Sequence, residues 1–470
     1  MEIQVNKLRE MLELLKPAVP KKSAIPITAY IRLGEGKATA TDLDTMVIAD
    51  LPEAEEPMLL PFVSLAEMIK YVPGNGTLTI EAQDKKVSLT WDGGTASYPT
   101  ESVQDFPILP EMPTRAEGSI DGDTLIPALL AALPYRATEE ARPVLTGITL
   151  VLGSPLEVAA GDGYRMSHQA LGLSFPLEEK IIVPAHGVLI LGHVFAKTPR
   201  TPPTTVDSLI PLILAKRPLH MALIGDNKVR VDFGQTASVV INLIQGNPPD
   251  FLALIPKGEP VLQSQLFVPQ LEAAVKRVRD IAKVGTGIVR MVFTDGKLTV
   301  SAKGDEREIS ATMDTLNTQG EPGRTALNYK YILEYLSGKQ GVVIFSKYND
   351  TGPLVLQYQN SPRVLIMPMF VEWDGDKPAA AEQTESVSET PEEDEEGVES
   401  VEDVESVEGE EASAEEEPEP ENIEENPEVE PEDEPEPVSE TGTVESETET
   451  ETEPEPVAAG KRKRKKSNET

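Results

Sequence analysis

In NKLREMLELLKP, Leu8, Met11, Leu12 and Leu15 recur at i, i+3, i+4 and i+7, which predicts a helix with Asn6 as N-cap and Pro17 ending it. Lys7, Arg9 and Lys16 lie off the apolar stripe. PQLEAAVKRVRDIAKVG repeats the design: Leu271, Ala274, Val275, Val278 and Ile281 face a core, and Lys276, Arg277, Arg279 and Lys283 are excluded from it. A third such segment, DTLIPALLAALPYRATEEARPVL, is interrupted by Pro127 and Pro134 and followed by Arg136 and Arg142. Elsewhere period-two alternation dominates, in KVSLTW, KVRVDF, KLTVSA and GVVIFS, joined by Asn/Asp/Gly turns. Together these elements predict an α+β protein with mostly antiparallel sheets.

The pattern also repeats at long range. GKATATDLDTMVIAD from Gly36, PLEVAAGDGYRMSHQ from Pro155 and GKLTVSAKGDEREIS from Gly296 each run an alternating strand into a turn bearing an Asp (Asp42, Asp162, Asp305), then a second strand. TIEAQDKKVSLTWDGGTASYPTESVQDFPIL and MALIGDNKVRVDFGQTASVVINLIQGNPPDFLAL share a hairpin, a further strand and a closing Asp-Phe. Units of more than a hundred residues are too long for a solenoid, so three tandem copies of one domain are expected: 1–117, 118–257 and 258–374. The second copy carries an insertion near 196–213, AKTPRTPPTTVDSLIPLI, which reads as an exposed loop with an apolar end.

Composition adds a tail. The 470-residue chain has net charge −38; from Lys377 to Thr470 there are 36 acidic and 7 basic residues, net −29, leaving −9 for residues 1–376. Glu, Pro and Ser fill 375–470 with almost no aromatics, so this segment is expected to be disordered; it ends in a basic block, GKRKRKKSNET. The plain reading is a solvated tail; sharper ones are a mobile nucleic-acid contact or a latch of Lys461–Lys466 onto the glutamates. The absence of cysteine excludes disulfides and thiolate metal sites. The start lacks a signal-peptide pattern and the apolar runs are too short to span a bilayer, so a soluble cytoplasmic protein without membrane contact is expected.

Enzyme chemistry finds little support. The four histidines, His168, His186, His193 and His220, form no HExxH, and there is no Gly-x-Ser-x-Gly elbow. GEGKATA and GDGYR lack the rest of a dinucleotide fingerprint or P-loop, and Asp42 with Asp44 reads as turn chemistry rather than a metal site. No cofactor and no catalytic residue are expected. EVAAGDGYRMSHQ, Glu157 to Gln169, leaves open whether its turn is a phosphate loop, a catalytic turn or a docking surface. Lys/Arg rows on helices are usually solvated faces, but their repetition in an acidic body fits a ring or groove presenting cations to a polyanion.

Taken in order, RPVLTGITL…VAAGDGYRM, GNPPDFLALIPK, LNYKYILEYLSG and VLIMPM resemble the bacterial sliding clamp family, the beta subunit of DNA polymerase III, over about residues 1–371. The resemblance implies a homodimeric ring of three DNA-clamp domains per chain, with sheets outside and helices lining a hole around duplex DNA. It further implies a non-enzymatic processivity factor for replication. Its partners would be the polymerase III catalytic subunit, the clamp loader, and other replication and repair proteins carrying clamp-binding peptides. An alternative is an interaction scaffold that kept this fold and binds basic proteins through its acidic tail.

By motif, the resemblance places a partner-peptide pocket at Leu145, Gly161, Gly163, Tyr164, Arg165, Met166, Pro249, Leu254, Asn328, Tyr331, Leu354, Leu365, Ile366, Met367, Pro368 and Met369. Together with the basic helix faces it places DNA contacts at Lys7, Lys22, Lys70, Arg136, Arg142, Lys276 and Arg279, and a dimer contact at Phe106, Ile108 and Ile281. Tyr164 stands where a His is frequent, Ala253 and Phe370 where Arg occurs, and Val144 where some relatives have an aromatic. QSQLF, Gln263 to Phe267, resembles the peptides clamps bind but reads as a structural strand.

Overall fold

Three successive segments of the chain build the same two sheets. In the first, β1 (Glu2–Gln4) leads into α1 (Val5–Leu15); then come β2 (Tyr30–Gly34), β3 (Lys37–Thr41), β4 (Thr45–Asp50), β5 (Met58–Pro61), α2 (Phe62–Met68), β6 (Thr77–Gln83), β7 (Lys86–Trp91) and β8 (Gly94–Pro99). The second has β9 (Thr114–Asp121), α3 (Gly122–Ala132), the single turn α4 (Pro143–Thr146), β10 (Gly147–Val151), β11 (Glu157–Gly161), β12 (Arg165–Ala170), β13 (Lys180–Pro184), α5 (Ala185–Lys197), β14 (Pro218–Ile224), β15 (Lys228–Asp232) and β16 (Ala237–Asn242). The third has β17 (Leu262–Phe267), α6 (Val268–Val284), β18 (Ile288–Thr294), β19 (Lys297–Gly304), β20 (Arg307–Asp314), β21 (Asn317–Gly320), β22 (Gly323–Asn328), α7 (Tyr329–Leu336), β23 (Val342–Lys347), β24 (Leu354–Gln357) and β25 (Arg363–Ile366). This computed structural model describes residues 1–22, 25–83, 85–200, 217–304, 307–359 and 361–373. The tail, Asp305 and the insertion from 201 to 213 lie outside them.

The strand orders β1-β6-β7-β8, β9-β14-β15-β16 and β17-β23-β24-β25 are equivalent, as are β5-β2-β3-β4, β13-β10-β11-β12 and β22-β18-β19-β20. Two antiparallel joints merge neighbouring copies: β4 pairs with β16, Val47 opposite Val239, and β12 pairs with β25, Met166 opposite Leu365. Each copy packs two helices side by side, α1 with α2, α3 with α5 and α6 with α7. Their apolar stripes enter one continuous core, in which Leu8, Leu15, Leu271 and Val278 are fully covered.

Local chemistry corrects several expectations. Helix α1 starts at Val5, one residue before the expected N-cap Asn6, because β1 feeds it directly; the Val5 N–H donates to the Gly76 carbonyl at 3.1 Å, in place of a side-chain cap. Pro127 does not break α3: Ile126 and Leu129 on either side are each 1% exposed, and their burial outweighs one lost helix hydrogen bond. Ile281 is half-buried against the core, and Ala282 fills the fully covered position beside it. Phe106, expected at a dimer contact, is 2% exposed within the chain, whereas Ile108 is 71% exposed.

The Asp-bearing turns hold in two copies. Asp42 Oδ1 accepts from the N–H groups of Asp44 and Thr45 at 3.1 and 2.7 Å, and Asp162 Oδ1 accepts from Tyr164 and Arg165 at 2.9 and 2.8 Å. In the third hairpin, Gly304 lies opposite Arg307. The position matching Asp42 and Asp162 is therefore a glycine, because pairing register rather than sequence spacing fixes the equivalence. QSQLF forms β17, with Leu266 fully buried.

Candidate functional site

A cleft of about 700 Å³ opens where the second and third copies join, lined by Pro134, Arg136, Ala137, Thr138, Glu139, Ala141, Arg142, Leu145, Asp162, Gly163, Tyr164, Arg165 and Tyr331. Beneath it lies a small apolar cluster separate from the main core: Ala137, Leu145, Ala159, Met166, Phe251, Val355 and Leu365, flanked by Val144, Ile255 and Tyr348. Strand alternation builds this floor. Along β24 and β25 the side chains of Val355 and Leu365 enter the cluster, while their neighbours Leu354 and Ile366 turn into the main core. The expected pocket positions Leu354 and Ile366 are thus corrected to sheet-core residues, and Val355 is the position that alternation turns into the small cluster.

Arg165 is the electrostatic centre of the joint. Its side chain is 9% exposed; Nε donates to Asp162 Oδ2 at 3.0 Å, Nη1 to Glu334 Oε2 of α7 at 2.5 Å, and Nη2 to the Pro134 carbonyl at 2.9 Å. The guanidinium also lies over the rings of Tyr331 and Tyr135, 4.4 and 5.4 Å from their centroids. Burial opposes its charge, yet the hydrogen bonds to Glu334 and Asp162 raise its pKa above the ordinary arginine value. Burial pushes the Tyr135 hydroxyl up to about 12, against the opposing pull of Arg165, so this ring remains a neutral wall. Arg165 is therefore a strut between two copies, with its donors already engaged.

Around this strut the rim is apolar and open: Tyr164 is 61%, Leu254 56% and Met367 44% exposed. The Met367 N–H donates to the Tyr164 carbonyl at 2.8 Å and the Met369 N–H to the Ala326 carbonyl at 2.7 Å, which ties Met367–Met369 from β12 across to β22. Pro368 and Met369 are half-buried along this run. Asn328 caps α7, its Oδ1 accepting from the Lys330 N–H at 3.0 Å, and so positions Tyr331 rather than facing a ligand. Pro249 lies with Phe251 against β11 in a separate crevice that also contains Lys180.

Two glycines are required here. Gly163, at φ +93°, closes the tight turn, and a Cβ at Gly161 would stand 2.8 Å from Phe251 Cε1. Gly161→Val is expected to force Phe251 out of the cleft floor and lower stability by about 1–3 kcal/mol. A shift of the urea midpoint to lower concentration checks this; an unchanged midpoint would mean the floor repacks freely.

The expected DNA contacts divide into two sets. Arg136 and Arg142 line the cleft itself, in the segment that follows α3, as the sequence placed them. Lys7 lies 2.5 Å from Glu53, Lys70 2.5 Å from Glu67, Lys276 2.7 Å from Glu272 and Arg279 3.4 Å from Asp280; Lys22 is exposed. Arg9, off the stripe of α1, is spent on the carbonyls of Ile69, Lys70 and Val72. Tyr135, Phe251, Val355 and Tyr348 were not legible as site residues; only Phe251 had a sequence signal, the closing Asp-Phe of the repeat.

No helix among the described residues is long and apolar enough to cross a membrane. No family model matches the chain. Among sequence relatives, the beta sliding clamp homolog GriR of Streptomyces muensis is 25% identical over 376 residues, covering 76% of this chain and 93% of the relative. The beta sliding clamp of Micrococcus luteus is 26% identical over 301 residues, covering 62% and 89%. The fold matches the DNA polymerase III beta subunit of Pseudomonas aeruginosa with TM-score 0.69 at 21% identity, over 79% of this chain and 100% of that one. A second Pseudomonas aeruginosa structure, bound to griselimycin, matches with TM-score 0.67 at 20% identity, over 79% and 99%. Threefold topology, the cleft at a joint between copies, and these relatives agree: the chain is similar in sequence to bacterial beta sliding clamps and has the fold of the DNA polymerase III beta subunits.

Proposed function

We propose that two copies of this chain close head to tail into a ring around duplex DNA and tether the replicative polymerase for processive synthesis. One observation carries this reading. The two internal joints pair equivalent strands, β4 with β16 and β12 with β25. By the same equivalence β20 corresponds to β4 and β12, and β8 to β16 and β25, yet β20 and β8 are edge strands. An open edge offers a row of unpaired backbone groups, and β20 of one copy meeting β8 of the next repeats the internal joint twice and closes a two-fold dimer. Ile108, exposed in the loop after β8, belongs to this contact; buried Phe106 holds that loop, and Ile281 supports it from α6.

The domains in this reading are 1–117, 118–257 and 258–374. The cleft between the second and third takes a short peptide with aliphatic and aromatic anchors, since its floor is apolar and its polar groups are few and fixed. The polymerase III catalytic subunit, the clamp loader and repair proteins dock there in turn. Lys7, Lys22, Lys70, Lys276 and Arg279 supply phosphate contacts that carry no sequence information and permit sliding. The protein acts in the cytoplasm by topology and docking, with no chemistry of its own.

The test is retention on nicked circular DNA after loading by the clamp loader, followed by a salt wash. Retention on circles with loss from linearised DNA is expected. Equal, salt-labile loss from both would leave only surface electrostatics and sink the ring.

A further inference from the structure

Arg165 is a strut because of its place in a hairpin, and the third copy holds an arginine in the same place. The Asp162 N–H donates to the Arg165 carbonyl at 3.1 Å, and Gly304, which matches Asp162, lies opposite Arg307. Arg307 therefore matches Arg165. It is exposed on the edge strand β20 and engages no carboxylate among the described residues. Its hairpin rests on α6, where a Cβ at Gly304 would lie 3.3 Å from the Ile281 carbonyl oxygen.

The same equivalence locates an acceptor. Glu334, which binds Arg165, is the sixth residue of α7, and Glu67 is the sixth residue of α2. Each helix follows directly on its preceding strand, β22 or β5, so the two carboxylates occupy matching places. Glu67 lies 2.5 Å from Lys70, but the two side chains are 64% and 57% exposed, so this pair is weak and readily exchanged.

The strand register follows as well. Asn242 faces Lys228 across β15 and β16, and Pro99 faces Lys86 across β7 and β8. Tyr98 is thereby aligned with Ile241, the residue opposite Thr45, and with Ile366, the residue opposite Arg165. One position further on, the Asn242 and Met367 N–H groups each donate across their own joint at 2.8 Å. Pro99 holds that place in the first copy and has no N–H, so a ladder between copies ends at Tyr98.

We propose that β20 of one copy meets β8 of the next with Arg307 opposite Tyr98, and that the Arg307 guanidinium crosses the joint to Glu67 of that next copy. This pair rests on the head-to-tail reading of the ring, and a closed ring holds it twice. Between copies it does what Arg165 and Glu334 do within one: an exposed arginine and an exposed carboxylate become covered and joined as the edges meet.

The test measures dimer dissociation by sedimentation equilibrium for the full chain, for Arg307→Glu, for Glu67→Arg and for an equimolar mixture of the two variants. Each variant alone sets like charges against each other at both joints, and is expected to dissociate at least about tenfold more readily than the unmodified chain. In the mixed dimer both joints again set opposite charges against each other, so the mixture is expected to associate as the unmodified chain does. Such rescue also requires that both variants fold. Ser310→Pro, which blocks the β20 edge, separates this pair from the ring. If Ser310→Pro dissociates while the charge reversals leave the affinity unchanged, or while mixing restores nothing, the edge is right and the Arg307–Glu67 pair is overturned. If Ser310→Pro stays dimeric, the head-to-tail ring falls and the pair falls with it.

Discussion

Arg165→Ala is expected to loosen the joint between the second and third copies and to empty the cleft of its order. The guanidinium is almost fully covered, binds Asp162, Glu334 and the Pro134 carbonyl, and is flanked by Tyr135 and Tyr331. Its removal leaves Asp162, whose side chain is 15% exposed, without its cation. Breaking a buried pair costs about 3–5 kcal/mol. Glu334, at 53% exposure, regains water readily, so the expected loss is nearer about 2–3 kcal/mol. Urea denaturation measures it, and a clamp-binding peptide should bind at least about tenfold more weakly because Tyr331 and the turn at Gly163 lose their common anchor. Arg165→Lys is expected to recover only part of both effects, since an ammonium cannot reach all three acceptors in one plane. Unchanged stability and unchanged peptide affinity in Arg165→Ala would show that the strut is dispensable.

Ser310→Pro is expected to convert the proposed dimer to monomer while each chain stays folded. Ser310 is exposed on β20 and pairs with Ser301 of β19. The pair Gly304 with Arg307 begins this ladder, and alternation along it turns the backbone of Ser310 toward the open edge. Proline there removes a donor and places a ring where β8 of the partner would pair, at a cost of about 3 kcal/mol, or roughly a hundredfold in dimer affinity at each joint. Sedimentation at a few concentrations reads the association, and circular dichroism reads the fold. A variant that remains a dimer at the dilution where the unmodified chain does would place the interface on another edge.

Much of the fold was written locally. Period-two runs such as KVSLTW and KLTVSA form β7 and β19, and the stripe Leu8, Met11, Leu12 and Leu15 is buried in α1 as its spacing requires. The limits of local reading are as specific. Pro127 disfavours a helix by its own chemistry, but α3 runs through it because the residues beside it are buried by other elements. At the site, motif order marked Leu145, the Gly161–Met166 turn and Met367–Met369, yet could not separate Leu365 from Ile366, because adjacent strand residues face opposite layers. Which layer becomes cleft depends on the neighbouring sheet.

The sequence by itself determined the elements, the three copies and the acidity concentrated after Lys377, since all of these rest on spacing and composition along one chain, and its motifs carried the resemblance to sliding clamps. Tertiary structure alone decided which cations are free and which are neutralised by a carboxylate distant in sequence, as Lys7 is by Glu53 across 46 positions. It alone brought Arg165 to Glu334, 169 positions away, and left one edge of β8 and one of β20 without a strand partner among the described residues. The reason is physical: periodicity reports only which face of an element is apolar, whereas ion pairs, sheet edges and clefts depend on what another part of the chain places against that face.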